Sequence, residues 1–190
     1  MDRTLKFAFC SLAFNIVFSA YHLVFGFTAR SWWLLTLGVY YLILSIVRFF
    51  VLKVKKNQWA ASRFTGIMLM VLSLPLAGTV ILSVVRDRGY KYHMIVMIAI
   101  AVYAFTKITL ATVNFVGSRR QASVKVVTLR NISFADAFVS IFALQRSMLV
   151  SFEGMTPSEI QIFNAALGSA VCVIVFLLGL RLVRNKKSQV

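Results

Sequence analysis

The chain has 190 residues, of which 60% are hydrophobic and 14% are charged, and its formal net charge at pH 7 is +16. A soluble domain of this length cannot bury so much apolar surface, and the continuous apolar runs lack the alternation typical of a membrane β-barrel. The basic residues lie mainly at the ends of apolar runs, which argues against a nucleic-acid-binding protein. We therefore predict an all-α fold, with residues 1–190 forming one polytopic membrane helix bundle.

Six apolar runs are long enough to cross a bilayer, for which about 20 residues are needed. The links between the first and second, third and fourth, and fifth and sixth runs are short, so the six transmembrane helices should form three antiparallel hairpins. The predicted spans lie at about 7–27, 32–52, 64–85, 93–116, 133–152 and 157–183.

Polar residues recur at helical spacing in the first two spans. Asn15, Ser19 and His22 share one face of span 1, which fits either packing against neighbouring helices or a hydrated path. Arg48 in span 2 lies five residues before Lys53. Its side chain can therefore extend to the lipid headgroups, which is the main interpretation, or it can contact a substrate or a headgroup directly.

Span 4 carries a lysine well inside its apolar run. Tyr103, Lys107, Ala111 and Asn114 follow one helical face. An ammonium in hydrocarbon is costly, so Lys107 should face protein, water or an opposite charge. Two interpretations remain open: a structural role, by extension to the headgroups or by pairing, and a role in transport or binding.

Span 5 is the least apolar and contains Asp136, Gln145 and Arg146. Ser133 and Asp136 fit a helix N-terminal cap, which would explain Asp136 without a function. Lys107 lies nine residues, and Asp136 about four residues, from the ends of their spans on the same membrane face. An ion pair between spans 4 and 5 is therefore geometrically possible.

Span 6 has a sharp start signal and a face of small residues. Thr156 can cap the helix, Pro157 suits its first turn, and Glu159 can reach back to the cap. Gly168 and Gly179 lie on one mostly small face, which predicts close helix packing.

The distribution of Lys and Arg predicts the orientation. With six spans, both termini and the two links at 53–63 and 117–132 lie on one side, which holds 15 of the 21 Lys and Arg, whereas the opposite side holds four. The positive-inside rule then places both termini in the cytoplasm. The two basic links should lie along the surface and contact anionic lipid headgroups.

No catalytic or metal-binding motif is present in the sequence. Cys10 and Cys172 both fall inside predicted spans, which indicates neither a disulfide framework nor a metal site. No nucleophile has a nearby histidine and acid, and no glycine-rich phosphate loop occurs. We therefore predict neither an enzyme nor a bound cofactor.

Three stretches of the chain resemble a known group of proteins. They are YKYHMIVMIAIAVYAFTKITLA with TLRNISFADAFVSIFALQRSML, mainly within residues 90–150, together with SWWLLTLGVYYLILSIVRF in span 2. They resemble small six-span membrane proteins of Gram-positive bacteria. The resemblance implies a bacterial plasma-membrane protein, and it implies no activity and no catalytic or binding residue.

The polar stripes favour a small transporter or channel subunit for an ion or a small solute, an anion being one option, that forms a homo-oligomer. The alternative is a non-transporting accessory, lipid-binding or assembly module. The candidate residues on a substrate or ion path are Lys107, Asp136, Arg146, Gln145, Asn114, Tyr103, Arg48, Asn15 and His22.

Overall fold

The computed structural model describes residues 3–85, 94–116, 123–151 and 154–184, with the side chains of 3–7, 85, 96 and 114–116 outside the description. The described residues form six α-helices. In chain order they are α1 (Arg3–Thr28), α2 (Trp32–Lys53), α3 (Gln58–Val85), α4 (Met94–Val116), α5 (Val124–Ser151) and α6 (Pro157–Arg184).

Five of these helices are long and apolar enough to cross a membrane, and α4 contributes a shorter apolar helix, Met97–Val113, in the part that the structure describes. Many large apolar side chains point outward, among them Val17, Trp32 and Leu74 with 65%, 76% and 71% of their surface exposed. Water would not tolerate so large an apolar surface, whereas lipid would. The prediction of an all-helical fold is confirmed for the described residues, and the apolar helices fit a membrane-embedded protein.

The predicted start of α6 is confirmed by its hydrogen bonds. Thr156 donates from its backbone N–H and from its hydroxyl to the Glu159 carboxylate, both at 2.8 Å. The Glu159 backbone N–H donates to the Thr156 hydroxyl at 3.4 Å. These reciprocal bonds satisfy donors that the first helical turn leaves unpaired.

Three helices begin earlier than their apolar runs, and the first of them, α1, begins at Arg3 and not near residue 7. Helix α3 begins at Gln58 and not near residue 64, and α5 begins at Val124 and not near residue 133, so residues 124–132 are helix and not an irregular link. In the first turn of α5, the Lys125 ammonium donates to the backbone carbonyl of Leu52 at 2.6 Å, at the end of α2. The capping interpretation of Asp136 is therefore wrong, because Asp136 lies twelve residues inside the helix.

Helices α3 and α6 have the most extensive contact in the bundle. A Cβ atom built on Gly66 would lie 2.6 Å from the carbonyl oxygen of Gly179, and one built on Gly168 would lie 2.5 Å from Val80. The predicted close packing of the small face of α6 is confirmed at Gly168 and Gly179. The backbones of α1 and α4, by contrast, rarely approach each other, and these helices meet through long side chains such as Phe18 and Tyr103.

We expect Gly179→Ala to destabilise the protein by about 1–3 kcal/mol, since overpacking a tight contact forces the backbone to move. The added methyl group would lie 2.7 Å from the Gly66 carbonyl oxygen. Thermal melting of the detergent-purified protein measures the effect. Gly78→Ala is the matched control, because nothing lies within 4 Å of a Cβ at Gly78. Equal melting temperatures for the two variants would contradict this account of the α3–α6 contact.

Candidate functional site

A single buried carboxylate joins three other helices to α5. Asp136 has 1% of its surface exposed. Its Oδ1 accepts a hydrogen bond from the ammonium of Lys107 in α4. Its Oδ2 accepts from the amide of Asn15 in α1 at 2.9 Å and from the guanidinium of Arg48 in α2 at 3.3 Å. We call Asn15, Arg48, Lys107 and Asp136 the charge cluster. The ion pair proposed for Lys107 and Asp136 from the sequence is present.

Arg48 does not extend to the membrane surface. Its residue is 0% exposed, and besides Asp136 it donates to the hydroxyls of Ser11 and Ser133, the latter at 3.4 Å. The interpretation that Arg48 reaches the headgroups is therefore wrong. Its Nε–H is buried and has no hydrogen-bond partner in the part of the chain that the structure describes.

Two tyrosines enclose the Lys107 ammonium. The nitrogen lies 4.4 Å from the ring centre of Tyr41 and 4.2 Å from that of Tyr103, distances at which a ring face attracts a cation. The Tyr103 hydroxyl donates to the Asn15 side-chain oxygen at 3.0 Å, and the Tyr41 hydroxyl lies 3.1 Å from that of Ser140. Sequence reasoning named Tyr103 and missed Tyr41, although Tyr41 shares a helical face with Arg48.

The charges in the cluster do not balance. Lys107 and Arg48 are two cations, and Asp136 is one carboxylate. The other acidic residue in the described ranges, Glu159, lies exposed at the start of α6. The described interior at this point therefore holds one excess positive charge. A buried charge without a partner is strongly unfavourable, and bringing in an anion would relieve it.

The polar face of α1 divides between the charge cluster and helix packing. Asn15 belongs to the cluster, whereas Ser19 donates to the backbone carbonyl of Gly38 in α2 at 2.7 Å. His22 is buried, and its Nδ1 lies 2.8 Å from the carbonyl of Phe18 one turn earlier. The packing interpretation therefore holds for Ser19, and His22 lies beside the cluster with its ring centre 5.8 Å from that of Tyr41.

Three other candidates are not brought into the cluster. The Gln145 amide donates to the backbone carbonyl of Phe163 at 3.0 Å, in α6. The Arg146 guanidinium lies over the ring of Trp33, 4.5 Å from its centre, and the residue is 5% exposed. The side chain of Asn114 lies outside the described residues. Arg146 and Gln145 thus belong to a separate region, towards the end of α5.

A cavity of about 370 Å³ lies between α1 and α4 and reaches Lys107. Phe14 and Val102 in its wall are largely exposed, so the cavity opens on the outside of the bundle. Its surface is mostly apolar, and Lys107 is the charged residue that it reaches. The described residues around it are Ser11, Phe14, Phe18, Ala99, Val102, Tyr103, Thr106, Lys107 and Leu110.

Metal-binding groups of three or more His, Cys, Asp or Glu residues are not found among the described residues. Cys10 and Cys172 are free thiols. The charge cluster and the two tyrosines beside it present ammonium, guanidinium, carboxylate, amide and phenol groups.

The chain matches no protein-family model, no curated protein and no solved structure. The resemblance of residues 90–150 to six-span proteins of Gram-positive bacteria stays a prediction. A function can therefore be inferred only from the geometry of the charge cluster and of the cavity between α1 and α4.

We expect Asp136→Asn to destabilise the protein far more than Lys107→Met. Removing the carboxylate leaves two buried cations, and breaking a buried pair in this way costs about 3–5 kcal/mol. Lys107→Met leaves Arg48 and Asp136 as a balanced pair, so we expect a loss of about 1 kcal/mol or less. Melting temperatures of the two purified variants check this order. A greater loss for Lys107→Met would contradict the charge count given above.

Proposed function

We propose that this chain is a small membrane transporter or channel subunit for an anionic solute, and that the charge cluster is its binding site. The observation that supports the proposal is the excess positive charge of the described interior: Lys107 and Arg48 face one carboxylate, at 6%, 0% and 1% exposure respectively. An anion bound there would complete the charge balance. The unpartnered Nε–H of Arg48 is a further donor for it.

The cavity between α1 and α4 offers a route to the site. The cavity connects the outer surface of the bundle with Lys107, and its wall is mainly apolar. A solute that combines a carboxylate or a similar anionic group with a small apolar body suits this wall better than a strongly hydrated inorganic ion. Binding would require Lys107 to share its ammonium between the solute and Asp136.

The proposed topology has six spans, with α4 crossing the membrane as the other helices do. Adjacent helices form three antiparallel hairpins, and both termini lie in the cytoplasm of a plasma membrane. Because Arg48 is buried, 14 Lys and Arg rather than 15 lie at the proposed cytoplasmic ends, against four at the opposite ends. This asymmetry supports the orientation, and the cytoplasmic basic residues would contact anionic lipid headgroups.

We further propose that the chain assembles as a homo-oligomer. Six helices enclose little volume, and the outward apolar side chains of α1 and α4, such as Phe14 and Val102, can be covered by a second copy as well as by lipid. If two copies met along α1 and α4, the α1–α4 cavity would lie at their contact, and each copy would supply part of its wall.

Flux into proteoliposomes tests the transport proposal. Labelled benzenesulfonate, chloride and phosphate serve as probes, and we expect benzenesulfonate to enter fastest. Lys107→Met should lower benzenesulfonate flux about tenfold or more, since a charged hydrogen bond to the anion is lost. Lys53→Met is the matched control, because it removes the same charge from an exposed position at the end of α2. Equal flux for the wild type and Lys107→Met would remove the charge cluster from transport.

The second candidate function is a non-transporting accessory, lipid-binding or assembly module. The observation that favours it is that Lys107 and Arg48 already contact Asp136, so both cations have a partner within the protein. On this alternative the cluster only fixes the helices in place. Absence of flux for every probe, with an intact and monodisperse protein, would support it over transport.

Reporter fusions test the orientation. Alkaline phosphatase, which is active only outside the cytoplasm, should be inactive when joined to the C-terminus. The same enzyme joined after Gly154, in the link before α6, should be active. The reverse pattern would contradict the proposed orientation, and activity at both positions would contradict the even number of spans.

A further inference from the structure

A second groove lies on the outer surface between α5 and α6, away from the charge cluster. Its volume is about 300 Å³, and no residue of the charge cluster lines it. The described lining residues are Val127, Arg130, Asn131, Phe134, Phe138, Leu178 and Arg181. Most of these are half-buried, and Arg181 is exposed, so the groove is accessible from outside the bundle.

The groove is polar at one end and apolar along its length. On α5, Arg130, Phe134 and Phe138 follow one another at four-residue spacing and share a helical face. On α6, Leu178 lies three residues before Arg181, towards the middle of the helix. Both arginines therefore lie near the helix ends, the start of α5 and the end of α6. The apolar residues of each helix lie further towards its middle.

Two guanidinium groups at one end of a groove form a site for a phosphate. The guanidinium fork matches the oxygen geometry of a phosphate group, and Arg is the preferred side chain for such contacts. Arg130 and Arg181 are the two charged residues among the described lining residues.

The apolar part of the groove distinguishes a lipid from a soluble phosphate. Phe134 and Phe138 stack with ring centres 6.4 Å apart, and they form a continuous surface below Arg130. A soluble anion would leave this surface unused, whereas an acyl chain would cover it. The groove has its arginines at one end and its apolar residues along the rest, as a phospholipid has its charged headgroup at one end and its acyl chains along the rest.

We propose that the α5–α6 groove binds one anionic glycerophospholipid. Its phosphate lies against Arg130 and Arg181, and an acyl chain packs over Phe134, Phe138 and Leu178. The inference stands apart from the proposed transport, because it involves none of the charge-cluster residues. It also differs from general attraction of lipid to the basic links, since it predicts one site of defined composition.

Native mass spectrometry of the purified full chain in detergent tests the proposal. Phosphatidylglycerol and phosphatidylcholine are titrated separately, and we expect the first phosphatidylglycerol to bind about tenfold more tightly than the first phosphatidylcholine. Arg130→Gln with Arg181→Gln should abolish this preference. Arg63→Gln with Arg184→Gln is the matched control, because it removes two exposed charges that do not line the groove. The control should keep phosphatidylglycerol affinity within about twofold, because neither Arg63 nor Arg184 lines the groove.

Several outcomes would overturn the inference. Equal loss of phosphatidylglycerol in both double variants would mean that surface charge alone attracts the lipid. Displacement of the lipid by an equal concentration of glycerol phosphate would make the groove a site for soluble anions. Should the Arg130 and Arg181 double variant fail to fold, Arg181→Gln alone, at an exposed position, should still weaken phosphatidylglycerol binding about threefold or more. Unchanged binding in that variant would equally reject the site.

Discussion

The carboxylate of Asp136 is the constraint on which the arrangement of α1, α2, α4 and α5 depends. It accepts hydrogen bonds from one residue of each of the other three helices: Asn15, Arg48 and Lys107. The backbones of α1 and α4 rarely approach each other, yet the two helices pack through the stacked rings of Phe18 and Tyr103. The polar bonds to Asp136 add to this packing. Helices α3 and α6 meet directly along their backbones, because Gly66 and Gly179 permit a close approach. The charge cluster thus supplements the packing of α1, α2, α4 and α5, whereas close packing joins α3 to α6.

Unequal charge distinguishes this cluster from a simple structural ion pair. A pair of one cation and one carboxylate fixes helix positions equally well and leaves no charge to be compensated. Burying the second cation adds a desolvation cost that no second carboxylate offsets. The tyrosine rings around Lys107 offset only part of this cost. The proposed function uses this excess positive charge, with an anion entering through the cavity beside Lys107.

The sequence predicted the helices well and the cluster in part. Apolar runs and the Thr156 cap placed nine of the twelve helix boundaries within one residue, but the basic first turns of α5 hid its true start, since hydropathy does not register an amphipathic helix end. The depths of Lys107 and Asp136 made an ion pair geometrically possible, and the structure contains it. Arg48 was not paired, because its distance from the span end was considered without the partner that its helical face would meet. Gln145 was grouped with Asp136, yet at about 100° per residue the two lie on opposite sides of α5.

The same angular argument explains why α5 is the least apolar helix of the bundle. Asp136 faces inward to the cluster, and Arg130, six residues earlier, lies about 120° around the helix and lines the outer groove. A helix with polar groups on two sides has a less apolar composition, yet much of its surface can still be buried. In α5, 14 residues are buried. Low hydropathy in a span of this kind therefore does not indicate a helix at the periphery. Here the low hydropathy marks α5, the helix that contacts α1, α2, α3, α4 and α6. The same helix carries the buried carboxylate of Asp136 and one side of the α5–α6 groove.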